Sequence, residues 1–294
     1  MPLDPALAGY ETAPLAATFE AAAVARFADA IGDPNPLFRE AERARAAGFA
    51  APLAPPTFVV RYLVPLAEVG LDTAHAQVLH AEQEYEYARA PLVGDAVTLR
   101  HRVASVRQSR RPDGMAIMVV ETLGESGGAS LYTGRSKLLV REGAAAGASP
   151  RAEEAPARAA TTPAGAPVGP LVKRVTQEQI NAYAAASGDH NPIHLDAAAA
   201  RAVGLDGTIA HGMLSMAFMG QLATDWLAAQ PTPGGWVTRL RTRFQAMVRP
   251  GDTLTIVGAL SDVANGHGRL EVWAENQRGE RVTTGGAEVA LPGA

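Results

Sequence analysis

Two runs decide how the rest of the chain is read: Tyr183-Ala-Ala-Ala-Ser-Gly-Asp-His-Asn-Pro-Ile-His-Leu195 and, after seven residues of Asp, Ala and Arg, Val203-Gly-Leu-Asp-Gly-Thr-Ile-Ala-His-Gly-Met-Leu-Ser-Met216. The first sets a carboxylate, Asp189, and an imidazole, His194, five residues apart. Gly188, Asn191 and Pro192 bound the loop between them; these turn formers restrict the backbone, so such a loop can hold two side chains in one geometry. The second run ends at Gly212, where the stretch Met213–Ala228 begins. That stretch is apolar around most of its circumference, which predicts a buried helix.

The same pattern occurs earlier in the chain. Phe27-Ala-Asp-Ala-Ile-Gly-Asp-Pro-Asn-Pro-Leu-Phe-Arg-Glu40 lies on the first run without a gap, at an offset of 156 residues. Asp33 falls on Asp189, Asn35 on Asn191, Pro36 on Pro192, Gly48 on Gly204 and Thr57 on Met213. A repeat of this length means two copies of one domain. The copies part where acid–base chemistry would need them to agree. Phe38 stands at the position of His194, and Pro55-Pro56 stand at His211-Gly212. Proline has no N–H to offer, and Asp33 without an imidazole reads as a loop hydrogen-bond acceptor.

The run S-G-D-x-N-P-I-H, followed some fifteen residues later by A-H-G-M-L, resembles the hydratase 2 motif of the MaoC-like (R)-specific enoyl-thioester hydratases. The resemblance implies a hotdog fold, an antiparallel sheet wrapped around a central helix. Two copies in one chain then imply an α+β double hotdog with the two sheets joined edge to edge, covering nearly the whole chain. It is closer still to the two-component (3R)-hydroxyacyl-thioester dehydratases, in which a motif-poor subunit binds the acyl chain and a motif-bearing one does the chemistry. By this resemblance the two would here be fused. The expected organisation is a degenerate pocket-forming domain over 1–141, an Ala/Pro-rich linker over 142–170 and a catalytic domain over 171–294.

Periodicity fills in the elements. Phe19 to Ala30 reads as an amphipathic helix, and Thr57 to Val69 as an apolar helix kinked or shortened by Pro65. Strands are predicted over Val78–Ala88, Ala96–Arg107, Met115–Leu123 and Ser130–Val140. Their counterparts are Gly235–Val248, Thr253–Val263, Arg269–Asn276 and Arg281–Leu291, with Gly94-Asp95 and Gly251-Asp252 as matching turns.

Composition bounds the function. The 294 residues are 47% hydrophobic, enough for a large core. A net charge of −4 and a pI near 6.0 argue against nucleic acid as a partner. With no cysteine, disulfides, thiolate catalysis and Cys-type zinc sites are ruled out. Neither a signal-like N-terminus nor a long apolar stretch is present, so a cytoplasmic protein without membrane contact is expected. No metal and no cofactor is expected, and a homodimer of double-hotdog chains is one possible assembly.

Hydration of a trans-2-enoyl thioester needs a base for water, an acid for C2 and donors for charge on the thioester oxygen. Asp189 and His194 can share the first two, and the Gly212 N–H at a helix start can supply the third. The family resemblance supports these positions and implies (R) stereochemistry. Asn191 reads as a loop pin before a substrate contact; Ser215 either meets the site or bonds back to its own helix. His190, His211 and His80 read as structural or solvated. Phe58 and Tyr62 are candidates for the acyl pocket. Arg239 and Arg241, with Arg243, share one strand face, which either meets the phosphates of coenzyme A or an acyl-carrier arm or is an ordinary solvated face. The expected activity is a reversible hydratase/dehydratase on CoA or ACP thioesters. A hotdog acyl-thioesterase and a non-catalytic acyl-thioester-binding protein are the alternatives.

Overall fold

Strict alternation of buried and exposed residues builds the long strands. Along Ala96–Gln108, for instance, Val97, Leu99, His101 and Val103 are buried while Arg100 and Arg102 are exposed. In the computed structural model, which describes residues 3–69, 71, 76–108, 115–142 and 165–292, the elements in chain order are β1 (Leu15–Thr18), α1 (Ala21–Ala30), α2 (Ala41–Ala46), β2 (Ala76–Tyr87), β3 (Ala96–Gln108), β4 (Ala116–Ser126) and β5 (Ala129–Glu142). The second half follows with β6 (Ala166–Arg174), α3 (Gln177–Ser187), α4 (Pro192–Leu195), α5 (Ala197–Ala202), α6 (Gly212–Ala228), β7 (Trp236–Phe244), β8 (Thr253–Ala264), β9 (His267–Asn276) and β10 (Arg281–Ala290).

One antiparallel sheet takes all ten strands, in the order β1-β3-β4-β5-β2-β7-β10-β9-β8-β6. The order reads the same from either end once the 156-residue offset is applied. The seam is β2 against β7, with Glu84 opposite Arg241, Glu86 opposite Arg239 and Tyr85 opposite Leu240. Opposite charges facing each other across antiparallel strands contribute roughly 0.2–1 kcal/mol per pair. The edge-to-edge double hotdog expected from the repeat is the fold observed.

Helix α6 lies against β6 to β10. It is buried without a break from Met213 to Thr224, as its all-round apolarity requires. Among the described residues the first half has no such helix, which corrects the expectation for Thr57–Val69. Two 3₁₀ turns, Phe58–Tyr62 and Leu66–Val69, stand there instead. Leu63 is extended (φ −64°, ψ 151°); Pro65, two residues on, has no N–H for an α turn and disfavours the helical region for Val64 before it. The interior of this half is filled by Tyr85, Tyr87 and Tyr132 and by a separate apolar cluster that includes Val103, Met118 and Leu138.

The linker expectation is also corrected at its end. Residues 143–164 lie outside the described residues, but 166–170 belong to β6, an edge strand on β8. The two halves are tied across their helices: Phe27 of α1 meets Tyr183 of α3 with ring centroids 5.7 Å apart. Lys173 donates to the Gly32 carbonyl at 2.7 Å, and Arg61 donates to the Ala186 carbonyl.

Candidate active site

The loop that carries the acid–base pair is fixed by its own polar groups. Helix α3 ends on Gly188 in the left-handed region (φ +82°), where a glycine has no Cβ penalty, and the Gly188 N–H closes on the Ala184 carbonyl. The Asp189 N–H donates to Ser187 Oγ at 3.2 Å, and the Asp189 carboxylate accepts from the Asn191 N–H at 3.1 Å. Asn191 then caps α4 by accepting the Ile193 N–H at 3.3 Å, with Pro192 at the first helical position. The bond made by the Asn191 side chain is to the loop, as a pin would make it.

His194 is buried in α4 and donates Nδ1–H to the Ile209 carbonyl at 2.8 Å. A carbonyl only accepts, so this bond selects the tautomer with the lone pair on Nε2. Burial pushes the His194 pKa below the ordinary value of 6.5; the Asp189 charge and the Ile209 bond oppose it. Asp189 itself is exposed. A carboxylate oxygen of Asp189 and ring nitrogens of His194 and His211 lie within 4.8 Å of one another.

Two histidines that sequence reading set aside belong to this site. His211, N-terminal neighbour of α6, is buried and stacks on His194 with ring centroids 3.8 Å apart and planes 31° apart. Its adjacency to Gly212 in the motif was the available signal. Burial, and then His194, hold its pKa down to about 4. His80 comes from β2 of the first half, packs edge-on against Phe244 at 5.6 Å and bonds Gln83 at 2.8 Å. Burial lowers its pKa to about 4, while Gln83 and the Asp189 charge pull the other way. No sequence signal marks His80, because its place depends on the β2–β7 seam. Three donors at such distances invite a metal reading. His194 Nδ1 and His211 Nε2 are, however, each engaged by a backbone carbonyl, at 2.8 and 3.0 Å, which leaves one nitrogen on each ring for other work.

Gly212 opens α6, where its N–H has no preceding turn to accept it. A Cβ at Gly212 would sit 3.1 Å from the Phe244 ring. Ser215 bonds back to the Gly212 carbonyl and to Thr283 Oγ1, both at 2.7 Å, so its hydroxyl serves the helix and sheet. Phe58 is fully buried, and a chain of rings links it to His194: Phe27 at 5.7 Å, then Tyr183 at 5.7 Å, His211 at 5.1 Å and His194 at 3.8 Å. Tyr62 stacks on Phe19 at 5.7 Å. Arg239 and Arg241 lie on the outer face of β7, away from α6. Arg239 is held by Glu84, Glu86 and Glu288 at 2.6, 3.1 and 3.8 Å. Three carboxylates around one guanidinium disfavour a phosphate at Arg239, while Arg241 is exposed on the same face.

The corresponding place in the first half is closed. Asp33 is 1% exposed and accepts the Asn35 N–H at 3.0 Å, and its second oxygen has no partner. Burial raises its pKa to about 6, assisted by Asp225 and opposed by the Asn35 bond, Lys173 and Arg39. Phe38 is buried where the other half has its imidazole.

A duplicated hotdog with an Asp/His pair beside the start of its buried helix defines the hotdog dehydratase class. Family models match both halves, a MaoC-like domain over residues 158–280 and a FAS1-like dehydratase domain region over 6–131. The chain belongs to the MaoC-like dehydratase family. It is similar to a UPF0336 protein of Streptomyces avermitilis, 33% identical over 128 residues, covering 40% of this chain and 81% of that one. Among solved structures, a MaoC-like dehydratase matches at a TM-score of 0.81 and 20% identity, over 97% of this chain and 98% of that one. A Mycobacterium tuberculosis protein described as a double hotdog matches at 0.67 and 17%, over 97% and 96%.

Proposed function

We propose that the chain is a hydro-lyase that adds water to trans-2-enoyl thioesters and, in reverse, removes it from (R)-3-hydroxyacyl thioesters, carried on coenzyme A or an acyl carrier protein. The observation that carries this reading is the Asp189 carboxylate within 4.8 Å of a His194 ring whose lone pair is fixed on Nε2. A pair so arranged can hold one water. As the water oxygen bonds C3, the pair takes one proton from it, and the electrons of the double bond move to the thioester oxygen. The Gly212 N–H and the positive end of α6 stabilise that charge. The proton is then returned to C2, so a single water supplies both the hydroxyl and the hydrogen, and nothing else is consumed.

Each half has its part. The second supplies Asp189, His194 and Gly212, while the first supplies His80 to the site wall and offers the apolar side chains of Phe58 and Tyr62 toward the acyl chain. The test is product analysis with crotonyl-CoA and a longer trans-2-enoyl-CoA. The reading expects loss of the conjugated enoyl absorbance and chiral (R)-3-hydroxyacyl product with no free thiol. Thiol release without hydration would mean a thioesterase, and neither product would mean a binding protein.

A further inference from the structure

We propose that His211 is a positioning residue that orients both members of the acid–base pair at once. This inference rests on the hydro-lyase reading for its rate effects and on the geometry alone for its spectroscopic one. One imidazole makes two links. Its ring stacks on His194 with centroids 3.8 Å apart. Its Nε2–H donates to the backbone carbonyl of Asp189 at 3.0 Å. Stacking fixes the plane in which His194 Nε2 points, and the hydrogen bond fixes the peptide from which the Asp189 side chain springs. Among the described residues the two catalytic candidates share no hydrogen bond with each other, so their relative placement depends on a third group that touches both.

The protein surroundings keep His211 in the form this role needs. It is 2% exposed, at the N-terminal end of α6, with the Tyr183 ring 5.1 Å away. The titratable groups that face it are His194, Asp189, His190 and Tyr183. With its pKa held down to about 4, the ring is neutral at physiological pH, and a neutral ring has one N–H, which the Asp189 carbonyl claims for Nε2. The buried Nδ1 has no hydrogen-bond partner. A ring kept only for packing would not need this polar atom in the interior, where an unpartnered polar group costs free energy.

The experiment compares wild type with His211→Leu, which keeps bulk and loses both links, and His211→Gln, whose amide can still donate toward the Asp189 carbonyl. With a trans-2-enoyl-CoA, His211→Leu is expected to lower kcat by about 10- to 100-fold while KM changes by less than about threefold, because misplacement of reacting groups acts on the chemical step. His211→Gln should recover a large part of that loss. Thermal unfolding of each variant separates this outcome from simple destabilisation. A second readout needs no turnover: the stack holds His194 in the plane from which Nδ1 reaches the Ile209 carbonyl, so ¹⁵N spectra of the imidazoles should show His194 as a single Nδ1–H tautomer in wild type and, with that plane released, an averaged mixture in His211→Leu. Unchanged kcat together with an unchanged His194 tautomer in a folded His211→Leu protein overturns the proposal. If wild type is inert while the His194 spectrum still responds to His211→Leu, the hydro-lyase reading fails and the positioning role stands.

Discussion

His194 Nδ1 lies 2.8 Å from the carbonyl oxygen of Ile209, sixteen positions past Ile193 in the same motif, and this one bond determines which nitrogen of the ring can take a proton. Since burial holds the His194 pKa below 6.5, the ring stays neutral, lone pair on Nε2, through neutral pH. The acid limb of kcat/KM for hydration should therefore fall below pH 6.5. A limb centred above that value would show a ring stabilised as the cation, against the burial seen here.

Asp33 gives a stability prediction of opposite character. Its folded pKa is raised from 3.8 to about 6, so the native state binds the proton more tightly than the unfolded chain. Stability from this group is fully present below pH 3.8 and is lost as pH rises toward 6, by roughly 3 kcal/mol at most. Asp33→Asn keeps an acceptor for the Asn35 N–H and removes the buried charge. Thermal unfolding followed from pH 4 to 7 should decline with pH more steeply in wild type than in Asp33→Asn, with enoyl hydration unaffected. Parallel curves would contradict the assignment.

Gly212→Ala places a methyl group 3.1 Å from the Phe244 ring. Alanine is the better helix former by up to about 1 kcal/mol, so stability should change little while the ring or the helix start shifts. The expected result is a fall in kcat of about 10- to 100-fold from displacement of the N–H donor. Phe244→Leu in the same chain should recover part of it by making room.

Arg239 and Arg241 test the phosphate-binding expectation for the outer face of β7. Arg239→Ala removes a half-exposed guanidinium from three carboxylates, at a cost on the order of 1 kcal/mol. KM for a CoA thioester should be unchanged within about twofold in Arg239→Ala and in Arg241→Ala. A tenfold rise in either would return this face to the substrate site.

What the sequence made legible followed from local backbone demands. Asp33 and Asp189, and Asn35 and Asn191, hold the same turn by short-range bonds, with Pro36 and Pro192 at the same first helical position, so the repeat was visible residue by residue, and the alternating strands followed within a few residues of their observed ends. The apolar composition of Thr57–Val69 could not distinguish an α-helix from two 3₁₀ turns that bury similar side chains. Residues 166–170 of β6 read as linker because their Ala, Pro and Gly content carries no apolar periodicity. An edge strand tolerates proline, and a bulge between Val168 and Leu171 absorbs it. His80 and the ring chain from Phe58 to His194 are products of tertiary packing between the halves, with no local pattern to announce them.

The most direct measurement is the rate of absorbance loss from a trans-2-enoyl-CoA with wild type, Asp189→Asn and His194→Ala, each verified as folded. The account predicts hydration by wild type and a loss of about 10²- to 10⁴-fold in both variants, as removal of an acid–base group requires. A wild type that hydrates the substrate while either variant keeps its full rate would contradict the assignment of the chemistry to this pair.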